Sequence, residues 1–409
     1  MVFSAKGSTA PNHPVPGFLA KYPTPFHVYN EAAALEDAAA LQEGLFSGLR
    51  GAELFYSVKT NPLLPLLSSL LAKGWGLEVV GNENVAQAVA SGCPGSRMLY
   101  SEAGWKLEEL EEAIHKKGIR SFTVDSLSMA RLLGRACGRE KLNIAFRIHD
   151  GHSHFGFPIL REAITSALAA IPPTAIESFG LHVHTNPHGS PRGIDEIRED
   201  FTLRARRLKN AIQQCPREVE FVNLGGGIDS PFVFRPHPAE LARFHNPNEA
   251  EAFRREIPGE RFSLRDAGAA AAEAVVAELG PQWRERRVLF EPGRSVCTRA
   301  LSTVLGVRAV KEGFYPDAQV VITDGNTAIL GPLHRGMHPL YPQGKVRTFV
   351  YGLLPHSGDW LFQDAHLPAL KEGDRLQVEN TGAYFLPLEA RFGHELPSIF
   401  RADRDERIR

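Results

Sequence analysis

Two hydrophobic patterns alternate between about residues 50 and 295. Short apolar runs rich in β-branched and aromatic residues predict buried strands. Between these runs, apolar residues recur at helical spacing, as Leu107, Leu110 and Ile114 do before the stop at Gly118. The predicted strands are FYSVK (55–59), LEVV (77–80), MLYS (98–101), SFTVD (121–125), IAFRI (144–148), GLHVHT (180–185), FVNLGGG (221–227) and VLFEPG (288–293).

Eight strands alternating with helices over this length predict an α/β fold, a closed (β/α)8 TIM-like barrel. The alternative is an open, doubly wound sheet. The count favours the barrel, and so do polar residues at the carboxyl ends of several strands, which a barrel mouth would gather into one site. These residues are Lys59, Glu78, Arg147, His184 and Glu291.

The sequence pattern changes after about residue 295, where extended runs are broken by turn residues and helical spacing is rare. This pattern predicts a C-terminal, mostly-β domain (a β-barrel or sandwich). We therefore expect a barrel over 26–285 and a β-domain formed by 1–25 with 286–409. The segment from Asp229 to Pro258 is proline-rich, and loops of that length are often functional or mobile.

Charge is balanced, with 46 basic and 47 acidic residues, which gives no reason to expect nucleic acid or a membrane as partner. The basic run 204–209 predicts a solvated helix face. The four cysteines form no C-x-x-C pair, and neither an apolar leader segment nor an 18-residue apolar run occurs. These features indicate a cytoplasmic chain with free thiols.

Lys59 stands inside an apolar run, although a lysine is rarely buried without a partner. One interpretation is a lysine that snorkels from a strand end to water. The other is an amine that condenses with an aldehyde in a partly desolvated site.

Two further motifs fall on the last two predicted strands, LGGG (224–227) and EPGR (291–294). Three successive glycines let backbone N–H groups approach an anion closely, and Arg294 adds a cation that suits phosphate. A tight strand-to-helix turn would also explain the glycines. Glu291 does not suit phosphate, but its carboxylate suits a protonated ring nitrogen.

His182 and His184 lie two residues apart, so a strand would point both to one face. A metal site is not expected, because no third convergent ligand is evident. An imidazole stacked on a flat cofactor ring is the alternative. An aldehyde, a phosphate and a pyridine ring together describe pyridoxal 5′-phosphate (PLP).

These motifs resemble the fold-type III PLP enzymes, the alanine-racemase-like group, and within it the ornithine/arginine/diaminopimelate decarboxylase branch. The resemblance runs from TPFHVYN (24–30) to ENTGAYF (379–385). It implies a homodimer with shared active sites, and decarboxylation of an amino-acid-type small-molecule substrate through an external aldimine and a quinonoid. The implied cofactor contacts are Lys59, Glu78, Arg147, His184, Gly225, Gly226, Gly227, Glu291, Gly293, Arg294 and Tyr384.

The chain departs from the branch in the segment that carries a proton-donating cysteine from the partner subunit. Pro355 stands at the cysteine position here and His356 follows it. Because an imidazole ordinarily titrates near neutrality, His356 is the expected substitute acid and, with Lys59, the expected catalytic pair. Gly331 replaces an arginine of the diaminopimelate-type enzymes, which makes diaminopimelate an unexpected substrate.

The expected substrate contacts are Arg294, Asp324, His188, His356 and Tyr384. Many histidines near the motifs suggest an anionic or polyhydroxylated substrate, such as a carboxylate-bearing conjugate of a siderophore or other specialised pathway. These histidines are His152, His154, His182, His184, His188, His334, His338 and His356. One alternative is a PLP-dependent racemase, epimerase or lyase. Another is a non-catalytic regulator, and the intact motifs argue against that second alternative.

Overall fold

A closed parallel barrel and an eight-stranded sheet make up the computed structural model, which describes residues 12–185, 189–246, 249–257 and 261–409. The first strand of the chain is β1, Phe26–Tyr29. The barrel strands follow it: β2 Ala52–Ser57, β3 Gly76–Val79, β4 Met98–Ser101, β5 Ser121–Val124, β6 Leu142–Arg147, β7 Ile176–His182, β8 Phe221–Asn223 and β9 Arg287–Phe290. The predicted barrel and α/β class are confirmed.

Helices alternate with the barrel strands along the chain. They are α1 Glu31–Gly48, α2 Leu64–Ala72, α3 Gly81–Ala90, α4 Leu107–Glu111, α5 Leu127–Ala136, α6 Arg161–Ala169, α7 Ile194–Gln214, α8 Leu241–His245, α9 Ala250–Arg255, α10 Leu264–Leu279 and α11 Arg294–Cys297. Sequence signals set their ends. The Ser263 hydroxyl of α10 accepts a hydrogen bond from the Asp266 N–H at 3.1 Å, and the helix stops at Gly280, whose φ is 101°.

Side chains from alternate strands fill the barrel interior. Phe55 of β2, Leu99 of β4, Ala145 of β6 and Phe221 of β8 form one buried cluster, which Leu289 of β9 completes. Such a layer is how a TIM-like barrel packs its centre, so the interior is a core and not a pore. The site must therefore lie above it, at one of the two rims.

The second sheet is mostly antiparallel and follows the barrel in sequence. Its remaining strands are β10 Leu301–Tyr315, β11 Ala318–Thr323, β12 Leu340–Tyr341, β13 Val346–Tyr351, β14 Trp360–Leu367, β15 Arg375–Val378 and β16 Ser398–Arg401. The short helices α12 Thr327–Leu330 and α13 Phe385–Leu388 lie between them. The predicted mostly-β C-terminal domain is confirmed.

Strand pairing moves both domain boundaries from the predicted positions 26 and 286. Strand β1 pairs with β10 and β16 of the second sheet, and β9 closes the barrel between β8 and β2. The barrel therefore begins after β1 and includes β9. Among the described residues, no helix combines the length and the apolar character that crossing a membrane requires.

Candidate active site

Lys59 lies at the barrel mouth, one short turn beyond β2. The strand ends at Ser57, and Val58–Thr60 form a 3-10 turn, so the lysine does not lie inside the strand as predicted. Its Nζ donates to both carboxylate oxygens of Glu78, at 2.9 and 3.1 Å, and Ser57 Oγ donates to the same carboxylate at 2.6 Å. This ion pair is what lets a lysine stand at the end of a buried strand.

Opposing charges set the protonation of the Lys59 amine. Burial lowers its pKa, but the Glu78 and Glu291 carboxylates outweigh this effect, and the pKa is raised above the ordinary value. The side chain is nevertheless 46% exposed, because it projects into the open mouth of the barrel. The amine is therefore a cation that solvent or a ligand can reach.

Glu291 follows β9 and is buried beside Asn223 at the end of β8. Its Oε1 accepts a hydrogen bond from Asn223 Nδ2 at 2.7 Å and lies 3.7 Å from His182 Nε2. Burial and the nearby charge of Glu78 raise the pKa of Glu291. Glu291 is a buried carboxylate with a high affinity for a proton, placed in the electrostatic field of Lys59.

The two histidines continue from the end of β7. His182 is the last strand residue, and His184 lies beyond it, where its Nδ1 accepts a hydrogen bond from the Gly226 N–H at 3.1 Å. Burial lowers the pKa of both imidazoles well below the ordinary value, and the Arg147 and Lys59 charges lower both further. Both rings are therefore neutral, and a neutral flat ring suits stacking.

A third ligand-type group joins this histidine pair. Ligand atoms of His182, His184 and Glu291 all lie within 4.8 Å of one another. The argument that no third ligand converges was therefore wrong, because neighbouring barrel strands bring Glu291 to the pair. The absence of a bound metal remains a prediction, and a metal here would take the Glu291 oxygen that Asn223 already engages.

The glycine loop packs too tightly for larger residues. Gly225 has a φ of +67°, and a Cβ there would lie 2.6 Å from His184 Nδ1. A Cβ on Gly226 would lie 2.5 Å from the Glu291 carbonyl oxygen. Close packing of His184 and Glu291 against the loop therefore accounts for these glycines, and phosphate binding by the loop stays a prediction.

Arg204 is the functional-site residue that sequence reasoning missed. The run 204–209 was expected to be solvated, but the Arg204 side chain is fully buried. Its guanidinium donates to the carbonyls of Leu224 and Gly226 and pairs with Asp200 Oδ2 at 2.5 Å. The signal was its position three residues after buried Phe201 and four before buried Leu208, on the apolar stripe of α7.

We expect Arg204→Met to lower the free energy of unfolding by about 3 kcal/mol, because it leaves two buried carbonyls and Asp200 without their partner. Urea unfolding measures the change. Arg206→Met is the matched control, since Arg206 is exposed on the same helix and should leave stability nearly unchanged. Equal unfolding curves for the two variants would contradict the anchoring role of Arg204.

The EPGR motif and the segment ENTGAYF (379–385) also meet at the Lys59 turn. A Cβ on Gly293 would lie 2.2 Å from Thr60 Oγ1, and the Tyr384 N–H donates to the Thr60 carbonyl at 2.8 Å. The Arg294 guanidinium lies 4.9 Å from the centre of the Tyr384 ring, with its Nε 3.4 Å from Asp229 Oδ1. The motifs FYSVK, LGGG, EPGR and ENTGAYF therefore form one continuous wall of the barrel mouth.

Arg147 ends β6, and its guanidinium lies 4.2 Å from the centre of the Phe155 ring. Burial lowers its pKa, while the carboxylates of Asp125 and Glu291 counteract that effect. The arginine thus supplies positive charge on the Glu291 side of the mouth.

Three expected substrate contacts are not joined to this wall by the described contacts. Asp324 binds Thr24 Oγ1 at 2.6 Å and the Gly306 N–H at 2.7 Å, both within the β-domain. His356 is exposed between β13 and β14, where its Nδ1 accepts from the Gly358 N–H. His188 lies outside the described residues.

The predicted histidine-rich pocket is also not one cluster. His334 stacks on Trp360 with 3.8 Å between ring centres, and His338 is buried with its Nδ1 3.3 Å from the Glu379 carbonyl. Among the described members of that set, His182 and His184 have ring nitrogens grouped with the Glu291 carboxylate. Several of these side chains are thus used in packing, which sequence spacing alone could not reveal.

Unsatisfied polar atoms test whether PLP fits this mouth. Both ring nitrogens of His182, Thr60 Oγ1 and Ser295 Oγ are buried without a hydrogen-bond partner among the described residues. Beside them are a reachable amine, a buried carboxylate and a glycine loop, which match the aldehyde, pyridine nitrogen and phosphate of PLP. Fold and site together define a PLP-dependent barrel enzyme.

Comparison with known proteins agrees. The family described as pyridoxal-dependent decarboxylase, pyridoxal binding domain, matches residues 45–298, and the chain belongs to this family. Diaminopimelate decarboxylase of Zymomonas mobilis is 24% identical over 93% of this chain and 88% of its own length. Lysine/ornithine decarboxylase of Selenomonas ruminantium is 25% identical over 94% and 92%.

Solved structures share the whole fold. Diaminopimelate decarboxylase from Helicobacter pylori, complexed with L-lysine, superposes with a TM-score of 0.77 at 22% identity, covering 96% of this chain and 95% of that one. The predicted family, cofactor and enzyme class are confirmed: the protein is a PLP-dependent amino-acid decarboxylase.

Proposed function

We propose that the enzyme removes the carboxylate from the amino-acid end of a substrate larger than a free diamino acid, with the residue roles given below. The observation that carries the proposal is the meeting of Lys59, Glu78 and Glu291 at one end of the barrel. No other described part of the chain combines an accessible amine with a buried carboxylate and a glycine loop.

When bound, PLP supplies an aldehyde for the substrate amine and a ring that accepts the electrons left by carbon dioxide. Lys59 provides the amine that holds the cofactor and returns a proton on product release, with Glu78 orienting Nζ. The buried Glu291 carboxylate would be the partner of the ring nitrogen, and its negative charge would favour a proton on that nitrogen. His184 would offer its neutral ring for stacking on the cofactor.

Phosphate binding falls to the glycine loop 225–227 together with Gly293 and Arg294. The Gly225 and Gly226 N–H groups already donate to Asn223 Oδ1 and His184 Nδ1, so these two glycines shape the loop, and Gly227 offers its N–H group. Arg204 holds the same loop through the Leu224 and Gly226 carbonyls. Tyr384, whose N–H is bonded to the Thr60 carbonyl, closes the site over the lysine turn.

Diaminopimelate is a poor fit to the chain despite the names of several relatives. Gly331 stands where the diaminopimelate-type enzymes carry an arginine, and a Cβ built there would meet nothing within 4 Å. The distal amino-acid end of diaminopimelate therefore loses a clamp, and space is gained instead. A larger substrate with an amino-acid moiety suits this arrangement.

The substitute proton donor is His356 of the partner subunit in a homodimer with shared sites. The exposure of its loop supports this role, because an interface histidine must be free to enter a neighbouring mouth. We expect His356→Asn to lower kcat about 100-fold with little change in KM and an intact cofactor band. His115→Asn, on an outer barrel helix, is the control.

Mixing subunits tests the sharing. If Lys59→Ala and His356→Asn chains exchange, a hybrid dimer carries one intact site, and about a quarter of the wild-type activity should return. No recovery from exchanged hybrids would contradict a shared site. A cytoplasmic location is part of the same proposal, supported by the amino-acid substrate class and the unpaired cysteines.

An absorbance spectrum with trapping of released carbon dioxide tests the proposed function. With added PLP, the purified protein should show the absorbance band of the bound cofactor at the edge of the visible range. Carbon dioxide should then be released from pooled amino acids or acylated amino acids. Proton exchange at Cα without carbon dioxide would instead support a racemase. No band with added cofactor would overturn the proposal.

A further inference from the structure

A cavity of about 650 Å³ lies beside the Lys59 site. One wall comes from the proline-rich segment after the glycine loop, another from 331–338 and a third from α13. The lining residues that bear on a ligand are Arg235, Leu241, Arg294, Arg335, Tyr384 and Leu388. The volume is typical of a small-molecule site.

The cavity shares its inner wall with the catalytic mouth. Arg294 and Tyr384 line it, and Tyr384 is hydrogen-bonded to the Lys59 turn through the Thr60 carbonyl. A substrate held at Lys59 would therefore extend its distal end into this cavity.

The lining is cationic. It contains three arginines and no aspartate or glutamate. Arg235 and Arg294 share one carboxylate behind the wall, Asp229, at 3.3 and 3.4 Å. Arg294 is assigned to the cofactor phosphate, so Arg235 and Arg335 are the arginines that remain for a substrate. Burial lowers the pKa of His338 to about 4, so that ring adds no charge at neutral pH.

Two of these arginines have donor groups to spare. Arg335 is exposed, and within the described parts of the chain it forms no ion pair with a carboxylate. Arg235 directs Nη2 to Asp229 and the Gly189 carbonyl, and its Nη1 makes no hydrogen bond within the described residues. Guanidinium groups bind carboxylate and phosphate oxygens through paired donors.

The rest of the lining is apolar and irregular. Pro236 and Leu241 face the cavity from one side, and Pro332 and Leu388 from others. Leu388 is 60% exposed and adds apolar surface at the edge of the cavity. A methylene chain or an acyl group would bury this surface.

We propose that the substrate carries a second, distal oxyanion on an apolar arm, and that Arg335 with Arg235 binds it in this cavity. The inference rests on the proposed decarboxylase function and names the substrate class. Gly331 and Arg335 are the first and last residues of one 3-10 helix, and both line the cavity, so the cation comes from a different position than in the diaminopimelate-type enzymes.

The test is binding of three probes to the holoenzyme by isothermal titration calorimetry. The probes are N6-succinyl-L-lysine, N6-butyryl-L-lysine and L-lysine, whose distal ends are anionic, neutral and cationic. We expect the succinyl compound to bind roughly tenfold more tightly than the butyryl compound, the effect of one charge-assisted contact. Arg335→Gln should remove most of that preference, and added salt should weaken it.

Arg131→Gln, an exposed arginine on α5, is the matched control and should keep the preference. Equal affinity for the succinyl and butyryl compounds, or a preference that survives Arg335→Gln with Arg235→Gln, would overturn the inference. A different result would overturn the proposed function itself: the protein would hold no PLP at Lys59 and would bind none of the three probes.

Discussion

Replacing Lys59 with alanine is expected to lower the rate of carbon dioxide release about 1,000-fold or more, the scale of deleting a nucleophile that acts as a unit with its neighbours. The reason is that the amine has no substitute: Glu78 orients Nζ by two hydrogen bonds, and no other described lysine lies at the mouth. The measurement pairs the rate with the absorbance of bound cofactor.

Some loss of stability is expected in this variant, because the buried Glu78 carboxylate loses its ammonium partner and keeps the hydrogen bond from Ser57 Oγ. Urea unfolding separates this loss from the loss of activity, which a folded variant should still show. Lys73→Ala, an exposed lysine after α2, is the control and should retain full activity. Retained carbon dioxide release by Lys59→Ala would refute the assignment of the lysine.

Glu291→Gln is expected to reduce kcat about 100-fold or more while the cofactor remains bound. An amide cannot keep a proton on a ring nitrogen, so the electron sink is weakened although the shape of the site is kept. Because burial and Glu78 already raise the pKa of Glu291, a neutral group costs the fold little. Measurement of kcat and of cofactor affinity separates the two effects.

Asn223→Asp serves as a second variant, since Asn223 donates to the Glu291 Oε1 atom. A carboxylate there should raise the pKa of Glu291 further by like-charge repulsion and shift the pH profile of kcat. A kcat for Glu291→Gln equal to that of the wild type would contradict the role of Glu291.

Much of the barrel could be predicted because each strand carries its own signal. The run MLYS is β4 to the residue, and α4 begins at Leu107, the first residue of the predicted helical spacing. The alternating pattern gave a wrong prediction where the chain leaves the strand and enters a turn. Apolar alternation continues through Val58, but Lys59 belongs to the following turn, because its amine must reach Glu78.

Tertiary contacts explain what sequence could not give. Arg204 looked like one member of a basic run, and only the position of the glycine loop against α7 shows why it is buried. Strand β1 has no local feature that assigns it to the second sheet, which it joins by pairing with β10. Likewise, the convergence of Glu291 on the two histidines depends on barrel closure.

The most direct test of the central assignment is to reduce the holoenzyme with borohydride and map the labelled peptide by mass spectrometry. Reduction fixes the cofactor to the amine that holds it. The account predicts the pyridoxyl label on Lys59, in the peptide that includes Val58 and Thr60. A label on any other lysine, or no label on a protein that releases carbon dioxide, would contradict it.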